Sequence, residues 1–489
     1  MDILSLSIGG GDNTVPFYAD TEAIGAFGAV AKGVFVSVSA GNYGPDASSV
    51  SNQAPWMMTV GASSVDRNFL ATVVLGNGSS YRGASLYSGK PLGTKPDLAL
   101  VYKELCSGDP LDPNLVRGKI VVCEGSGVEK GQAVARAGGI GLIELSDEDA
   151  GELLVPEAHF FPATLVGAKA SEEIRDYLKS NGSKTGTIVF YGTTYHMEEA
   201  PILTSFSSRG PNAVSPDILK PDIIAPGLNI LAAWPENLSP SGEPSDKRRT
   251  KFNLEYGTSM SCPHVSGLAA LLKAVHRDWS PAALMSALMT TAYITDNKGN
   301  PIWDDAFFGG FLASPFDMGA GHVDPEKARE PRLVYDIGTQ DYVNYLCSLN
   351  YSSSDIGVLT KTRVSCPKSI SKPGDLNYPS FSVVFYSYGS ASATFTRKVT
   401  NVGPDNSSYM VQVSEPLGVN VTVNPRTLVF TKKNQSHIYT VSFGAEKASA
   451  YAAYGSITWT SRLCKVRSSV AITWADQSMN FRDHGGLVI

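Results

Sequence analysis

The residues whose types and spacing could do chemistry are concentrated in Gly257-Thr258-Ser259-Met260-Ser261-Cys262-Pro263-His264-Val265-Ser266-Gly267, which runs into the apolar stretch Leu268-Ala269-Ala270-Leu271-Leu272. A glycine frees the backbone ahead of the serine. The helix that follows turns unpaired N–H groups and a positive dipole end toward the Ser259 oxygen. A serine so placed can attack a carbonyl, and its own N–H can help to hold the oxyanion that forms. Read alone, Gly-Thr-Ser before a helix is more often just a capped helix start, and it is the full eleven-residue string that points to chemistry. A second polar centre, Asn42 in Val38-Ser39-Ala40-Gly41-Asn42-Tyr43-Gly44-Pro45, would by itself be a turn residue in a glycine-rich loop.

The elements that must position these groups begin at the first residues. Ile3 to Ile8 reads as a short strand, residues 20 to 32 carry helical spacing, and Val34 to Val38 is a β-rich run ending at Ala40-Gly41-Asn42. A further strand-like run, Trp56 to Ala62, follows. Strand, helix and strand at this distance predict a parallel sheet covered by helices, with ligand sites at the carboxyl ends of its strands. Asn42 falls at such an end.

Residues 78–197 read as an insertion with its own α/β core: strands at 118–123, 140–145 and 187–190, and helices at 129–138 and 170–180. The sheet pattern resumes after Pro201 with Asp222 to Gly227 as strand and turn. Helices are predicted near 264–277 and 281–292, the second with Ser280 as N-cap and Pro281 at its first position. From Asp375 onward helical periodicity is absent. Met410 to Val413, Val419 to Val423, Tyr439 to Phe443 and Gly455 to Trp459 alternate between turns, the signature of a β-sandwich of about 100 residues. Residues 475–489 fit none of these patterns and read as a tail.

The chain's 489 residues allow about three domains at roughly 150 residues each. A formal charge of -6 gives no basic footprint for nucleic acid or an anionic membrane surface. The longest apolar stretch, Ile24 to Val38, is interrupted by Lys32 and glycines and is no membrane span. The N-terminus lacks the basic flank and apolar core of a signal peptide. No acidic cluster has calcium-ligand spacing, so neither a metal nor a cofactor is expected. Among the six cysteines, Cys106 with Cys123 and Cys347 with Cys366 lie close in sequence. They form disulfides if the protein is secreted, or stay as reduced thiols if it is cytosolic. Cys262 and Cys464 read as buried small hydrophobes. Asn-x-Ser/Thr sequons at Asn77, Asn181, Asn237, Asn350, Asn406, Asn420 and Asn434 lean toward secretion.

The string around Ser259 resembles the serine motif of the subtilisin-like protease family, Gly-Thr-Ser-x-Ser/Ala-x-Pro. The segment around Asn42 is similar to the family segment whose Asn completes the oxyanion hole. Ser7-Ile8-Gly9-Gly10 looks like the edge that pairs with substrate backbone there, which would make Ser7, Ile8 and Gly9 substrate-binding. The resemblance is closest to the plant branch, on Phe206 to Pro211, Leu219 to Gly227 and Gly319 to Val323. Asp375 to Ser380 and Val399 to Gly403 resemble that branch's fibronectin-III-like domain, and the insertion resembles its protease-associated domain. The resemblance therefore implies an α/β fold: a parallel-sheet catalytic domain in two parts (1–77 and 198–350), an inserted α/β protease-associated domain (78–197), a fibronectin-III-like sandwich (375–474) and the tail. It implies a secreted serine endopeptidase with a polypeptide substrate, no nucleic-acid or membrane partner, and a homodimer formed through the protease-associated domain.

One part of the family pattern is missing. The family triad runs Asp, His, Ser along the chain, yet neither Asp-Ser/Thr-Gly nor His-Gly-Thr-His occurs in the sequence. His264 sits on a helix leading away from Ser259 and is expected to pack or cap. His159, His196, His276, His322, His437 and His484 have no triad-like neighbourhood. The expectation is a partial product of a protease gene whose acid and base lie upstream, inactive as given because Ser259 stays a weak alcohol. The alternative is a non-catalytic scaffold that binds protein or dimerises. Loss of upstream strands would leave Ile3 to Ile8 with an unpaired apolar flank.

Overall fold

A computed structural model describes the chain except residues 11–12, 108–109, 148–149, 197–198, 307–309, 368, 370, 449–450 and 476–489. The expected tail beyond Ala475, with His484, lies outside the described residues. Four strands form a parallel sheet in the order β1 (Ile3–Leu6), β2 (Phe35–Ser39), β3 (Met58–Ser63) and β4 (Ile223–Pro226). Ile3 lies opposite Phe35, Ser37 opposite Met58, and Ile223 opposite Val60. β2 and β3 are buried along their whole length, as strands covered on both faces must be.

Three helices cover the sheet: α1 (Thr21–Val30), α2 (Thr258–Val275) and α3 (Pro281–Thr291). Asp20 caps α1 by accepting from Ala23 N, and Ser280 caps α3 by accepting from Ala283 N. Trp56 anchors the core, with ring centroids 5.4 Å from Phe17, 5.2 Å from Phe27 and 5.9 Å from Tyr342. α2 lies across β1, β2 and β3. It begins at Thr258 rather than near 264, because Pro263 falls inside the helix and reads in the sequence as a boundary.

β1 pairs with β2 alone among the described residues, so its other edge is open, and Ile3, Leu4 and Leu6 are half-buried against the core. The strand expected to reach Ile8 stops at Leu6. Beyond it the Ile8 carbonyl accepts from Asn52 Nδ2 at 2.8 Å and from Ser39 Oγ at 3.4 Å, side chains that replace a ladder partner.

Between β3 and β4 the chain builds a closed seven-stranded barrel in the order 185–195, 67–75, 80–84, 163–166, 141–145, 120–124 and 98–103. It carries helices Val128–Arg136 and Ala168–Lys179. This unit starts earlier than the expected residue 78. Arg67–Leu75 pairs with Thr185–Tyr195 from Arg67 opposite Tyr195 to Leu75 opposite Gly186, which draws it out of the parallel sheet and into the barrel. A disulfide joins Cys106 to Cys123.

The α/β unit also continues past residue 350. Helix Ser353–Thr360 places Ile356 and Leu359 in the core that holds Phe27 and Trp56, and Cys347 is bonded to Cys366. The C-terminal sandwich packs a four-stranded sheet (333–334, 391–401, 436–445, 420–424) on a five-stranded one (381–385, 465–474, 452–460, 407–414, 427–430). Its core holds Phe381, Phe395, Phe443, Trp459 and Trp474. The edge pair Leu333–Val334 is borrowed from ahead of residue 375. No helix among the described residues is long and apolar enough to cross a membrane.

Candidate active site

Ser259 and Asn42, far apart in the chain, come together at the carboxyl end of the parallel sheet, Asn42 just past the end of β2 and bonded to Thr258 beside Ser259. Asn42 stands on the loop after β2, exposed to solvent. Its Oδ1 accepts from Thr258 N at 2.9 Å and from Thr258 Oγ1 at 2.8 Å. Thr258 Oγ1 in turn accepts from Gly41 N at 3.2 Å. With the oxygen committed to Thr258, the amide Nδ2 is left as the outward donor.

Gly257 shows where that donor points. Its φ is +130°, and a Cβ built on it would stand 3.1 Å from Asn42 Nδ2 and 3.6 Å from Ser259 N. One small volume is thus shared by a side-chain donor and a first-turn backbone donor, whose N–H a helix leaves unpaired by construction. Only glycine keeps it empty. The turn that carries Ser259 is held from below: Gly257 N donates to Gly227 O at 2.8 Å and Ser261 Oγ to Ala225 O at 2.9 Å, tying α2 to β4.

Ser7 Oγ donates to Ser259 O at 2.8 Å, so the exposed stretch Ser7 to Gly10 runs beside the serine. A cleft of about 190 Å³ adjoins it, lined by Gly9, Gly10, Ser51, Asn52 and Gln53. On the other side, Tyr256 donates to Glu157 Oε1 of the barrel at 3.2 Å. Burial, then the charge of Glu144, raises the Glu157 carboxyl, and burial and Glu157 push Tyr256 up to about 12.

The sequence matches the Subtilase family over residues 1–310 and the Fibronectin type-III domain over residues 375–472. The chain belongs to the subtilase family. It is 48% identical over 502 residues to Subtilisin-like protease SBT1.5 of Arabidopsis thaliana, covering 97% of this chain and 64% of that protein. Against Subtilisin-like protease SBT1.6 of the same plant it is 46% identical over 497 residues, covering 97% and 65%. The chain therefore spans just under two-thirds of the length of these relatives. Among solved structures, the psychrophilic subtilisin-like protease Apa1 from Pseudoalteromonas sp. AS-11 aligns with 67% of this chain and 69% of its own at 17% identity, with a TM-score of 0.27.

In this subtilase no imidazole or carboxylate bonds to Ser259 Oγ among the described residues. His264 turns its Nδ1 to Met260 O at 2.9 Å. His159 is buried against Glu144, and His196 pairs with Asp66. His276 stacks on Trp279 and bonds Arg329 O. His322 bonds Val323 O, and His437 bonds Val429 O. Cys262, on the buried face of α2, lies 3.5 Å from Ser37 Oγ. Cys464, expected to be buried, is half-exposed.

Sequence reasoning missed Thr258, Asn52 and Ser39 as positioning residues. Thr258 was inside the motif, but its role depends on a loop 216 residues away. Asn52 had no local signal: its partner Ile8 is 44 residues upstream.

Proposed function

We propose that this chain supplies the nucleophile and the oxyanion hole of a subtilisin-like serine endopeptidase. Ser259 Oγ attacks the scissile carbonyl, and the oxyanion settles between Asn42 Nδ2 and Ser259 N. The single observation that carries this reading is the shared volume at Gly257, 3.1 and 3.6 Å from the two donors. Ser7 to Gly9 receives the substrate backbone. Because the Ile8 carbonyl faces inward to Asn52 and Ser39, the alternation of an extended chain turns the backbone groups of Ser7 and Gly9 outward, free to pair with a peptide.

The insertion is read as a protease-associated domain, through which the chain forms a homodimer. The sequons at Asn77, Asn181, Asn237, Asn350, Asn406, Asn420 and Asn434 are all exposed, which supports a secreted glycoprotein.

Full turnover requires a base. In subtilisin itself, removal of the histidine costs about 10⁶ in kcat and leaves about 10³ to 10⁴ over water. The absence of an imidazole at Ser259 among the described residues favours a second reading, a non-catalytic subtilase scaffold that binds protein. A serine-directed fluorophosphonate separates the two. Labelling of the purified chain that disappears in Ser259→Ala supports the endopeptidase. No labelling, with the chain folded by circular dichroism, overturns it for this chain and supports the scaffold.

A further inference from the structure

Between the α/β unit and the sandwich lies a cleft of about 820 Å³, several times the volume of the one beside Gly9 and Gly10 and sharing no residue with it or with the site at Ser259. The end of α3 and residues 327–332 form one wall, and the hairpin turn Ser461 to Lys465 with Arg467 forms the other. Five cationic side chains line it: Lys327, Arg332, Arg462, Lys465 and Arg467. Glu330 is the sole carboxylate in the lining.

Two of the cations are neutralised locally, Lys327 by Asp324 and Arg332 by Glu330. Arg462, Lys465 and Arg467 have no carboxylate partner among the described residues. Arg467 is the most telling. Its Nη1 donates to Ala320 O at 3.0 Å and to Ser469 Oγ at 3.1 Å, while Nε and Nη2 have no protein acceptor among the described residues. Burial alone pulls its guanidinium down to about 10, with no acid opposing the shift. Arg467 is half-buried, while Arg462 and Lys465 are exposed; a partly desolvated cation without a counter-charge is costly, and a fold that keeps one beside two further unpaired cations recovers part of that cost when an anion arrives. Guanidinium forks match the oxygen geometry of phosphate and sulfate.

We propose that this cleft binds a multivalent oxyanion, a ligand carrying phosphate or sulfate groups, held by Arg462, Lys465 and Arg467 across the junction of the two domains. The proposal is independent of the reaction at Ser259. A native reporter lines the same cleft: Cys464 is half-exposed, whereas Cys262 is fully buried and the other cysteines are in disulfides.

The test follows the rate at which neutral iodoacetamide alkylates Cys464 in the full chain. Tripolyphosphate, and separately a sulfated disaccharide, are titrated against sodium chloride at matched ionic strength. A ligand occupying the cleft slows alkylation in proportion to 1 + [L]/Kd, about tenfold at ten times Kd. Sodium chloride does not, and the exposed double variant Arg462→Ser, Lys465→Ser loses most of the protection. The anion that saturates at lower concentration identifies phosphate or sulfate as the group recognised. Three results overturn the site: no slowing by either anion, slowing that sodium chloride reproduces, or slowing that survives in the double variant.

Discussion

Tyr378 donates its hydroxyl to Asp222 Oδ1 at 2.5 Å, so the C-terminal sandwich is hung on a carboxylate of the parallel sheet. Asp222 Oδ2 accepts from Lys220 Nζ at 2.6 Å and from Thr59 N at 2.7 Å. Lys220 Nζ also reaches Met57 O and Thr59 Oγ1. Asp222 leads directly into β4, whose Ala225 carbonyl holds Ser261 of α2. A continuous path of bonds therefore joins the sandwich to the turn that carries Ser259.

This buried cluster is expected to dominate the cohesion of the two units. Tyr378→Phe leaves a buried carboxylate one donor short and should cost about 1.5–3 kcal/mol, the range for a hydrogen bond to a charged group. Lys220→Met removes the counter-charge of the buried carboxylate, leaving it only the Tyr378 and Thr59 donors, and should cost about 3–5 kcal/mol. Urea unfolding of the three proteins checks the order. Equal midpoints would show that the cluster is not coupled to global stability.

The Cys347–Cys366 bond closes a loop with a sequence separation of 19 between Thr339–Ser348 and the segment after Ser353–Thr360. Restricting a loop of that length in the unfolded chain is worth about 3 kcal/mol. Cys347→Ala with Cys366→Ala should lower the unfolding free energy by that order and free helix Ser353–Thr360 from α1, which hydrogen exchange of Ile356 to Thr360 would report. Unchanged exchange there would place the anchoring of the helix in its apolar contacts alone.

Much of this architecture was legible in the sequence because short-range patterns carry it. β2 and β3 lie in short β-rich runs bounded by turn residues, α3 announces itself through Ser280 and Pro281, and sandwich strands such as Asn420–Asn424 and Ser436–Ala445 alternate. What was not legible depended on distant partners. Arg67–Leu75 alternates like any half-buried strand, and only its pairing with Thr185–Tyr195 assigns it to the barrel. The strand after Met1 stops at Leu6 because Asn52, from another loop, takes the Ile8 carbonyl. Ser259 and Asn42 could each be picked from a local string, but the donor geometry at Gly257 is a property of two loops meeting.

His322 gives a pH prediction with a definite sign. It is 7% exposed and packs 4.9 Å from the Tyr293 ring. Burial brings its imidazole from 6.5 down to about 4, the bond to Val323 O offsetting part of this, with lesser effects from His264 and Asp324. The unfolded chain takes up this proton below about 6.5 and the folded chain refuses it until about 4. Its contribution is therefore fully present above 6.5 and is lost as pH falls toward 4, on the order of 3 kcal/mol in all. Asp304 and Asp305, both raised to about 6 by burial first of all, run the opposite way. The informative quantity is thus the difference between wild type and His322→Gln. That difference in unfolding free energy should shrink or reverse in favour of the variant between pH 6.5 and 4.5. A pH-independent difference would mean that His322 titrates normally.

Substitutions at position 42 separate the architectural role of Asn42 from its chemical one. Asn42→Asp keeps an oxygen to accept from Thr258 N and Oγ1 but replaces the Nδ2 donor with a second acceptor. If the donor stabilises charge on the acylated or phosphonylated intermediate, Ser259 labelling by the fluorophosphonate should fall about 10²- to 10³-fold, the size of loss found in subtilisin for its own oxyanion-hole Asn. The melting temperature should barely move, because the loop's anchors survive. Asn42→Ala removes acceptor and donor together and should lower both the labelling rate and the melting temperature. Gly257→Ala completes the argument from the other side. At φ +130° its methyl group is strained and would lie in the volume between Asn42 Nδ2 and Ser259 N, adding about 1–3 kcal/mol of strain and blocking the oxyanion while both donors remain. If Asn42→Asp labels at the wild-type rate, Asn42 only fastens its loop to α2, and the oxyanion must be held by groups other than its carboxamide.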